Sequence, residues 1–189
     1  MAMLSKIIDE AGRYFLKINS DGAALVTLSG SNTRQLASDT ILMGGAGVGV
    51  HTAGDVVSTE AGEVLQFETG LPAGSSGIIL SSLVTLNQNA VFSGGAGYYL
   101  YLYSASPTAI ADNAAYNLPA VDIAKYIGRL TISTLVDLGD TCAANDISHN
   151  FDFTLASADT KLYGILSCIG AETTVDAKTI TINLGIAAL

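Results

Sequence analysis

The feature that most constrains this chain is the alternation of apolar and polar residues along many short segments. In KTITINLGI, residues 178–186, every second side chain is aliphatic and lies on one side of an extended strand: Ile180, Ile182, Leu184 and Ile186. NFDFTL, GRLTIST and EVLQFET alternate in the same way. SGIILSSLVTL and KLYGILSCI are apolar on both sides, which is typical of central strands covered on both faces.

HTAGDVV and YYLYLYS raise the number of predicted strands to about eight. Clusters of glycine, proline, asparagine and aspartate separate the strands, as in LPAGSSG, NQNAVFSGGAG and TCAANDISHN. This spacing predicts an antiparallel sandwich or barrel. Helix is scarce, and VDIAKYIG is expected to form one turn.

The first 47 residues have a different character. One helical face is predicted within residues 4–15, and a Ser-Asp-Gly turn then precedes ALVTL, which has the pattern of a strand. The glycine-rich segment ILMGGAGVG follows as a joint. The sequence therefore predicts an N-terminal extended arm, residues 1–47, and a β-sandwich domain, residues 48–189. The alternative is that ALVTL adds an edge strand to the same domain.

Charge excludes several classes of function. Seventeen acids against eight bases give a net charge of −9, and the bases are scattered, so binding to nucleic acid is not expected. No run reaches the roughly 18 apolar residues that a membrane helix needs, so no membrane partner is expected. Acids stand where a signal peptide would have its apolar core, so secretion by that route is not expected.

One long segment carries no charge at all. Residues 69–111 contain no Asp, Glu, Lys or Arg, although strands usually show charge on a solvent face. A second face buried against other subunits would explain this segment. A solvent face rich in Ser, Thr and Asn is the alternative.

No catalytic or cofactor-binding constellation is recognised. MGGAGVGV lacks both the GxGxxG and the GK[ST] patterns and precedes strands, so a flexible joint is favoured over a nucleotide loop. His51 and His149 lie in no metal-binding spacing. Cys142 and His149 are seven residues apart in one loop-like segment, but nothing nearby predicts an oxyanion hole. No enzymatic activity and no cofactor are therefore expected.

Acids cluster in the segment 137–152. The cluster consists of Asp137, Asp140, Asp146 and Asp152. Calcium prefers oxygen-rich loops, but the DxDxDG order is absent, so a solvated loop is favoured over a cation site and no metal is expected. Cys168 lies in an apolar run and is expected to be a free, buried thiol.

YYLYLY predicts a strand with two unlike sides. Tyr98, Leu100 and Leu102 point one way and belong to the core. The other side is a ladder of Tyr99, Tyr101 and Tyr103, whose amphipathic rings suit a contact with a partner subunit. Two alternatives remain open: a carbohydrate platform, and a ladder covered by the rest of the domain.

Several segments together resemble a family of proteins encoded in the structural gene clusters of tailed phages. They are HTAGDVV, LQFETGLPAGSSGIILSSLVTLNQ, YYLYLYSASPTAIADNAAYNL, DIAKYIGRLTIS and KLYGILSCIGAET, and their order from about residue 50 onward carries the resemblance. The resemblance implies a capsid auxiliary protein, also called a cement or decoration protein, or a related virion component, with a jelly-roll-like domain. It brings no catalytic residues.

Such a protein would bind the outer surface of the phage capsid and reinforce contacts between copies of the major capsid protein. Self-association is also expected, with a trimer as one arrangement, and the location would be the virion. The alternative is a tail- or fibre-associated β-sandwich module that binds a host surface glycan or protein.

Overall fold

A computed structural model describes residues 15–18, 24–27, 35–43, 49–59, 62–175 and 177–189. The chain divides into two compact units, Met1–Thr33 and Arg34–Leu189. In the first unit, β1 (Phe15–Ile18) pairs antiparallel with β2 (Ala24–Thr27). β2 confirms a strand at ALVT. Phe15, the last residue of the predicted helical face, lies in strand β1 instead, and the rest of that face lies outside the described residues.

The second unit is made almost entirely of strands. They are β3 (Gln35–Leu42), β4 (Val50–His51), β5 (Leu65–Glu68), β6 (Ser76–Leu86), β7 (Tyr98–Tyr103), β8 (Tyr126–Ile132), β9 (Val136–Asp137), β10 (Cys142–Asp146), β11 (Phe151–Thr154), β12 (Lys161–Cys168), β13 (Glu172–Thr173) and β14 (Thr179–Ala188). A 3₁₀ turn at Ala120–Lys125 confirms the single turn expected in VDIAKYIG. Among the described residues, no helix is long and apolar enough to cross a membrane.

The strand pairs are nested. β3 pairs with β14, β4 with β13, β5 with β12, β6 with β10 and β11, and β7 with β8, all antiparallel. Each strand thus pairs with its counterpart from the other end of the domain, as in a long ribbon folded back on itself. The pairs β6–β14 and β7–β12 then roll this ribbon into two sheets. This topology is a jelly roll and confirms the predicted all-β, antiparallel sandwich.

The two sheets enclose one apolar core. The larger sheet has the order β3-β14-β6-β10-β9, with β11 also pairing with β6, and the smaller has the order β5-β12-β7-β8. The alternating aliphatic residues of KTITINLGI are all fully buried against the other sheet, as their pattern predicts. Gly164 lies in β12 within this core, where a Cβ atom would come within 2.8 Å of Leu100 Cδ1 and 3.0 Å of Phe67 Cε2.

The structure corrects the predicted domain boundary in one respect. Residues 35–42 were assigned to the arm, but they form the edge strand β3 and pair with β14 along eight positions. Ala37, Ile41 and Met43 are buried in the core. This strand was not recognised in the sequence, because its middle is polar and a glycine-rich segment follows it. The role of the remaining N-terminal residues as an arm stays a prediction.

Two truncations test this boundary. A chain that begins at Arg34 keeps every strand of the sandwich and should melt close to the full-length protein. A chain that begins at Val48 loses β3 and leaves one side of β14 unpaired, and it should be less stable by about 3–5 kcal/mol because Ile41 and Met43 no longer fill the core. Chemical denaturation of both chains measures the difference, and equal stabilities would contradict the placement of β3.

Candidate functional site

Strand β7 has the two-sided character that its sequence predicts. Leu100 and Leu102 are fully buried between the sheets, and Tyr98 is 2% exposed. Tyr99, Tyr101 and Tyr103 lie on the outer side of the smaller sheet. The leucine side is therefore the core side, as expected.

A loop from the same domain covers part of the tyrosine side. Residues 104–125 connect β7 to β8 and bring Tyr116 onto Tyr101, where the two rings stack with centroids 3.5 Å apart and 9° between their planes. The hydroxyl groups of Tyr103 and Tyr116 lie 2.7 Å apart and share a hydrogen bond. Tyr126 packs edge-on against Tyr103. We call Tyr99, Tyr101, Tyr103, Tyr116 and Tyr126 the tyrosine layer.

Two charged groups fix the covering loop. The buried carboxylate of Asp122 accepts hydrogen bonds from the Thr108 backbone N–H, at 2.9 Å, and from Lys125 Nζ, at 2.8 Å. Lys125 Nζ also donates to the Ser106 carbonyl. The hydrogen bond from Lys125 is the main reason that the pKa of Asp122 is lowered to about 2. The loop is thus held in place at neutral pH.

The exposure of the tyrosines divides them into two groups. Tyr103 is fully buried, and burial raises the pKa of its hydroxyl. The expectation that Tyr103 contacts a partner is therefore corrected: the domain's own loop covers it. Tyr99 and Tyr101 are half-buried, and the guanidinium of Arg129 lies 3.8 Å from the centroid of the Tyr99 ring. Tyr99, Tyr101 and Arg129 form what we call the tyrosine–arginine surface, and their contact with a partner stays a prediction.

The larger sheet presents a second candidate surface. On its outer side, the strands β3, β14, β6, β10 and β9 carry hydroxyl, amide and aliphatic side chains: Leu36, Ser38, Thr40, Leu42, Thr179, Thr181, Asn183, Leu83, Thr85, Ala143, Asn145 and Val136. None of these twelve residues is ionisable. On the same outer side, β11 carries the exposed Asp152, which is opposite Ile78 of β6 and lies beyond the twelve residues. Leu36 is 70% exposed and Leu42 is 56% exposed. We call this set the uncharged sheet face.

Hydrogen bonds across the strands order this face. Thr40 Oγ1 lies 2.9 Å from Thr181 Oγ1, and Asn183 Nδ2 donates to the Leu83 carbonyl at 3.3 Å. This surface was not predicted from the sequence, because the residues that form it come from strands that are far apart in the chain. The available signal was the row Thr179, Thr181 and Asn183 opposite the aliphatic residues of β14.

The uncharged segment 69–111 has two explanations in the structure. Its two strands, β6 and β7, lie inside the larger and the smaller sheet, so most of their side chains are buried within the domain. The outward residues of β6, Leu83 and Thr85, belong to the uncharged sheet face. The segment thus supplies both the core and part of an exposed surface.

A buried polar cluster holds one end of the sandwich together. His51 in β4 and Glu172 in β13 are directly opposite each other, and both are buried. His51 Nε2 lies 3.2 Å from Asp112 Oδ1 in the covering loop, and Tyr98 donates its hydroxyl to Glu172 Oε2 at 3.2 Å. Asp112 also accepts a hydrogen bond from the Ser58 backbone N–H. The cluster therefore joins segments from four parts of the chain.

The cluster is incompletely satisfied among the described residues. His51 Nδ1, Asp112 Oδ2 and Glu172 Oε1 are buried and have no hydrogen-bond partner there. Burial raises the pKa of Glu172 to about 7, although Tyr98 and His51 act in the opposite direction. Burial alone would lower the pKa of His51, but the hydrogen bond and charge of Asp112 raise it overall. Glu172 therefore titrates near neutral pH.

The structure separates the cysteine and the histidine that share one segment of the sequence. Cys142 Sγ donates to the Gln88 carbonyl at 3.3 Å, whereas His149 Nε2 lies 2.8 Å from Ser82 Oγ. Ser82 is 1% exposed. A serine hydroxyl this deeply buried offers no access to a substrate, so the pair acts as a tether between the loop before β11 and strand β6.

Two of the four acids of segment 137–152, Asp137 and Asp146, accept hydrogen bonds within the chain. Asp146 accepts hydrogen bonds from the backbone N–H and the hydroxyl of Ser133, and Asp137 accepts one from the Gly139 N–H. Within the described part of the chain, no three His, Cys, Asp or Glu side chains come together in a group that could hold a metal ion. Cys142 and Cys168 are free and buried.

No protein-family model matches this chain, and no curated protein does. Among solved structures, it aligns with the native virion of Kashmir bee virus at acidic pH at 12% identity and a TM-score of 0.29, covering 100% of this chain and 96% of that chain. It also aligns with Broad Bean Stain Virus at 8% identity and a TM-score of 0.32, covering 75% and 42%. At these TM-scores the likeness carries no argument, and the fold rests on the strand pairing itself.

Thermal melts under monomeric conditions test the division of the tyrosines. Tyr103→Ala removes a fully buried ring and its hydrogen bond to Tyr116, so it should cost about 3–5 kcal/mol, within the range expected for Leu100→Ala. Tyr99→Ala should cost less than about 1 kcal/mol, because the ring lies at the surface. If Tyr103→Ala melts like the wild type, the loop does not cover the layer in solution.

The buried cluster predicts a specific dependence of stability on pH. Because the folded protein keeps the proton of Glu172 to about pH 7 while the unfolded chain loses it near its ordinary value of 4.5, the free energy of unfolding falls as the pH rises between these values. The loss attributable to this group is on the order of 3 kcal/mol. The raised pKa of His51 acts in the same direction at higher pH, since its stabilising charge is lost as the pH rises.

Urea denaturation from pH 4.5 to pH 8 measures this effect, with Glu172→Gln as the control. The glutamine keeps an acceptor for the Tyr98 hydroxyl but cannot titrate, so its curve should be flatter than that of the wild type. Parallel curves for the two proteins would show that Glu172 does not titrate in this range.

Proposed function

We propose that this chain is a virion structural protein of the capsid auxiliary type. It would bind the outer surface of a phage capsid and reinforce the contacts between major capsid subunits. The observation that carries the proposal is that one rigid sandwich has two unlike contact surfaces on its two outer sides, the uncharged sheet face and the tyrosine–arginine surface. The order of segments that resembles the phage family supports the same function.

Two surfaces on opposite sheets suit reinforcement better than a single site would. A protein that strengthens a lattice must contact at least two neighbours at once, and each contact then adds to the force needed to separate them. Tyrosine and arginine are enriched at the centres of protein interfaces, because they combine a large contact area with hydrogen-bonding groups. Tyr99 and Arg129 are therefore assigned to the capsid contact.

The distribution of charge fits assembly from separate copies. A net charge of −9 keeps free copies soluble and apart. The uncharged sheet face has none of this charge, and the tyrosine–arginine surface carries a cation. Repulsion is thus low at the surfaces where contact is proposed.

We assign no catalytic role, no cofactor and no metal to the chain. In support, the hydroxyl of Ser82 and the thiol of Cys142 are buried and hydrogen-bonded, and neither has access to a substrate. The proposed location is the capsid surface of the virion, after synthesis in the host cytoplasm. Two free, buried thiols suit a protein made in a reducing compartment.

One observation favours the alternative of a tail- or fibre-associated module. An open cleft of about 370 Å³ is lined mainly by polar side chains: Thr131, Asn145, Asp146, Ile147, Ser148 and His149. Thr131 is directly opposite Tyr99 in the pairing of β7 with β8. Polar groups beside an aromatic ring suit a host glycan, which offers hydroxyl groups and apolar ring faces.

Co-sedimentation with expanded capsids of the corresponding phage tests the proposal. The wild type should bind at a saturating and fixed copy number. Arg129→Ala should weaken binding by about 10-fold or more, because it removes the cation and its support of Tyr99. Lys161→Ala is the matched control, since Lys161 is a base of the same sheet that pairs with Glu68, and it should bind as the wild type does.

Two results would contradict the proposal. The first is a wild-type protein that does not bind capsids at any concentration. The second is saturable binding to host cells or purified host glycans that Asn145→Ala abolishes and Arg129→Ala leaves unchanged, which would establish the alternative.

A further inference from the structure

We propose that the uncharged sheet face binds a second copy of this chain, face to face, so that the unit that reaches the capsid is a dimer. This goes beyond the proposed capsid contact, which is assigned to the opposite sheet. The partner of the uncharged sheet face is then a second copy of the chain. Four properties support this partner: the charge of the face, its hydrogen-bonding groups, its area and the edge strand beside it.

Charge favours this face over the rest of the surface as a contact between copies. Two molecules that each carry a net charge of −9 repel one another through any surface that bears acids. The twelve outward residues of this face include no ionisable side chain. Two copies can therefore meet at these residues without bringing carboxylates together. Because the residues carry no charge, they do not favour a partner of opposite charge over a second copy.

The chemistry of the face is self-complementary. Thr40, Thr181 and the other hydroxyl groups each donate and accept a hydrogen bond, and the amides of Asn145 and Asn183 do the same. A surface of such groups can pair with an identical copy of itself. A surface that carried lysines or aspartates would need a different partner, because like charges would meet.

The area is sufficient for a weak, specific contact. The strands β3, β14, β6 and β10 lie about 4.8 Å apart and are about 28 Å long on average, so the outer side of the larger sheet offers about 500 Å² per copy and about 1,000 Å² in total. This lies at the low end of specific interfaces, so the dimer should depend on protein concentration. Packing of sheets about 10 Å apart is also a common arrangement inside β-sandwiches.

The edge strand β3 disfavours another mode of association, in which a second copy adds a strand to the sheet. Asp39 lies on the inner side of the edge strand β3, and its carboxylate accepts a hydrogen bond from the Gln66 backbone N–H in β5. An inward-pointing charge on an edge strand discourages the addition of another strand. Association through the face is thus favoured over association through the edge.

A face-to-face contact has a defined stoichiometry. The same surface on both partners is related by a two-fold axis, so the contact is complete with two copies. A trimer, the arrangement considered from the sequence, would need two different surfaces on each copy. The mass of the associated species therefore separates the two arrangements.

Sedimentation equilibrium over a range of concentrations tests the inference with the full-length protein. The wild type should show a monomer–dimer equilibrium. Thr181→Asp places a carboxylate near the middle of the face on both copies and should weaken dimerisation by about 100-fold or more. Val50→Asp is the matched control: it adds the same charge to an exposed strand position in β4, outside both surfaces, and it should dimerise as the wild type does.

A mixing experiment excludes loss of folding as the cause. Thr181→Lys should also be monomeric alone, whereas an equal mixture of Thr181→Asp and Thr181→Lys should recover dimer, because opposite charges then meet. A wild type that stays monomeric or forms trimers, or a Thr181→Asp variant that dimerises normally, would overturn the inference. If Thr181→Asp instead abolishes capsid binding while the wild type is monomeric, the face belongs to the capsid contact; normal capsid binding by a monomeric wild type would leave the proposed function standing without the dimer.

Discussion

The pairing of the last strand, β14, with both β3 and β6 is the constraint on which the rest of the structure depends. β14 lies inside the larger sheet and links residues near the start of the domain to residues at its end. It closes the nested ribbon into a roll and brings four aliphatic side chains into the core. Its register also decides which residues face outward, because a slip by one residue would turn every side chain of the strand to the other side. The uncharged sheet face exists only because this register places Thr179, Thr181 and Asn183 outward.

The strand pattern and the fold class could be predicted because they depend on local alternation. KTITINLGI, YYLYLY and GRLTIST each show their buried side directly, and the structure confirms the strands. The edge strand β3 could not be recognised with the same ease, because it contains Ser38, Asp39 and Thr40 in its middle. Its place in the sheet is fixed by pairing with a strand about 140 residues away, which no local pattern reveals.

The tyrosine side of β7 and the buried polar cluster show the same limit of prediction from local sequence patterns. The alternation of β7 predicts that three tyrosines share one side, but it does not show that residues 104–125 fold back over that side. The loop covers Tyr103 and stacks Tyr116 on Tyr101, so only the Tyr99 end of the ladder offers a surface. The buried cluster of His51, Asp112 and Glu172 was equally hidden, since its members are at least 60 residues from one another along the chain. In both cases the jelly-roll topology brings loops that are far apart in the sequence to the same end of the sandwich.

The two outer sides of the sandwich together define how such a protein could work. One side is uncharged and self-complementary, and the other presents aromatic rings and a guanidinium group. Between them lies a core of fully buried aliphatic and aromatic side chains, which makes the sandwich a rigid spacer between its partners. A contact made on one side is thereby held in a fixed geometry relative to a contact on the other.

Hydroxyl-radical footprinting of the free protein, at a concentration where it is monomeric, and of the capsid-bound protein tests the two proposed contact surfaces most directly. Leucine and tyrosine side chains are oxidised in proportion to their exposure, so Leu36, Leu83 and Tyr99 report on the two surfaces in one experiment. All three should be protected on capsids, whereas Val50 in β4, which is 64% exposed and lies outside both surfaces, should remain reactive. Unchanged oxidation of Leu36, Leu83 and Tyr99 on capsids that carry the bound protein would contradict it.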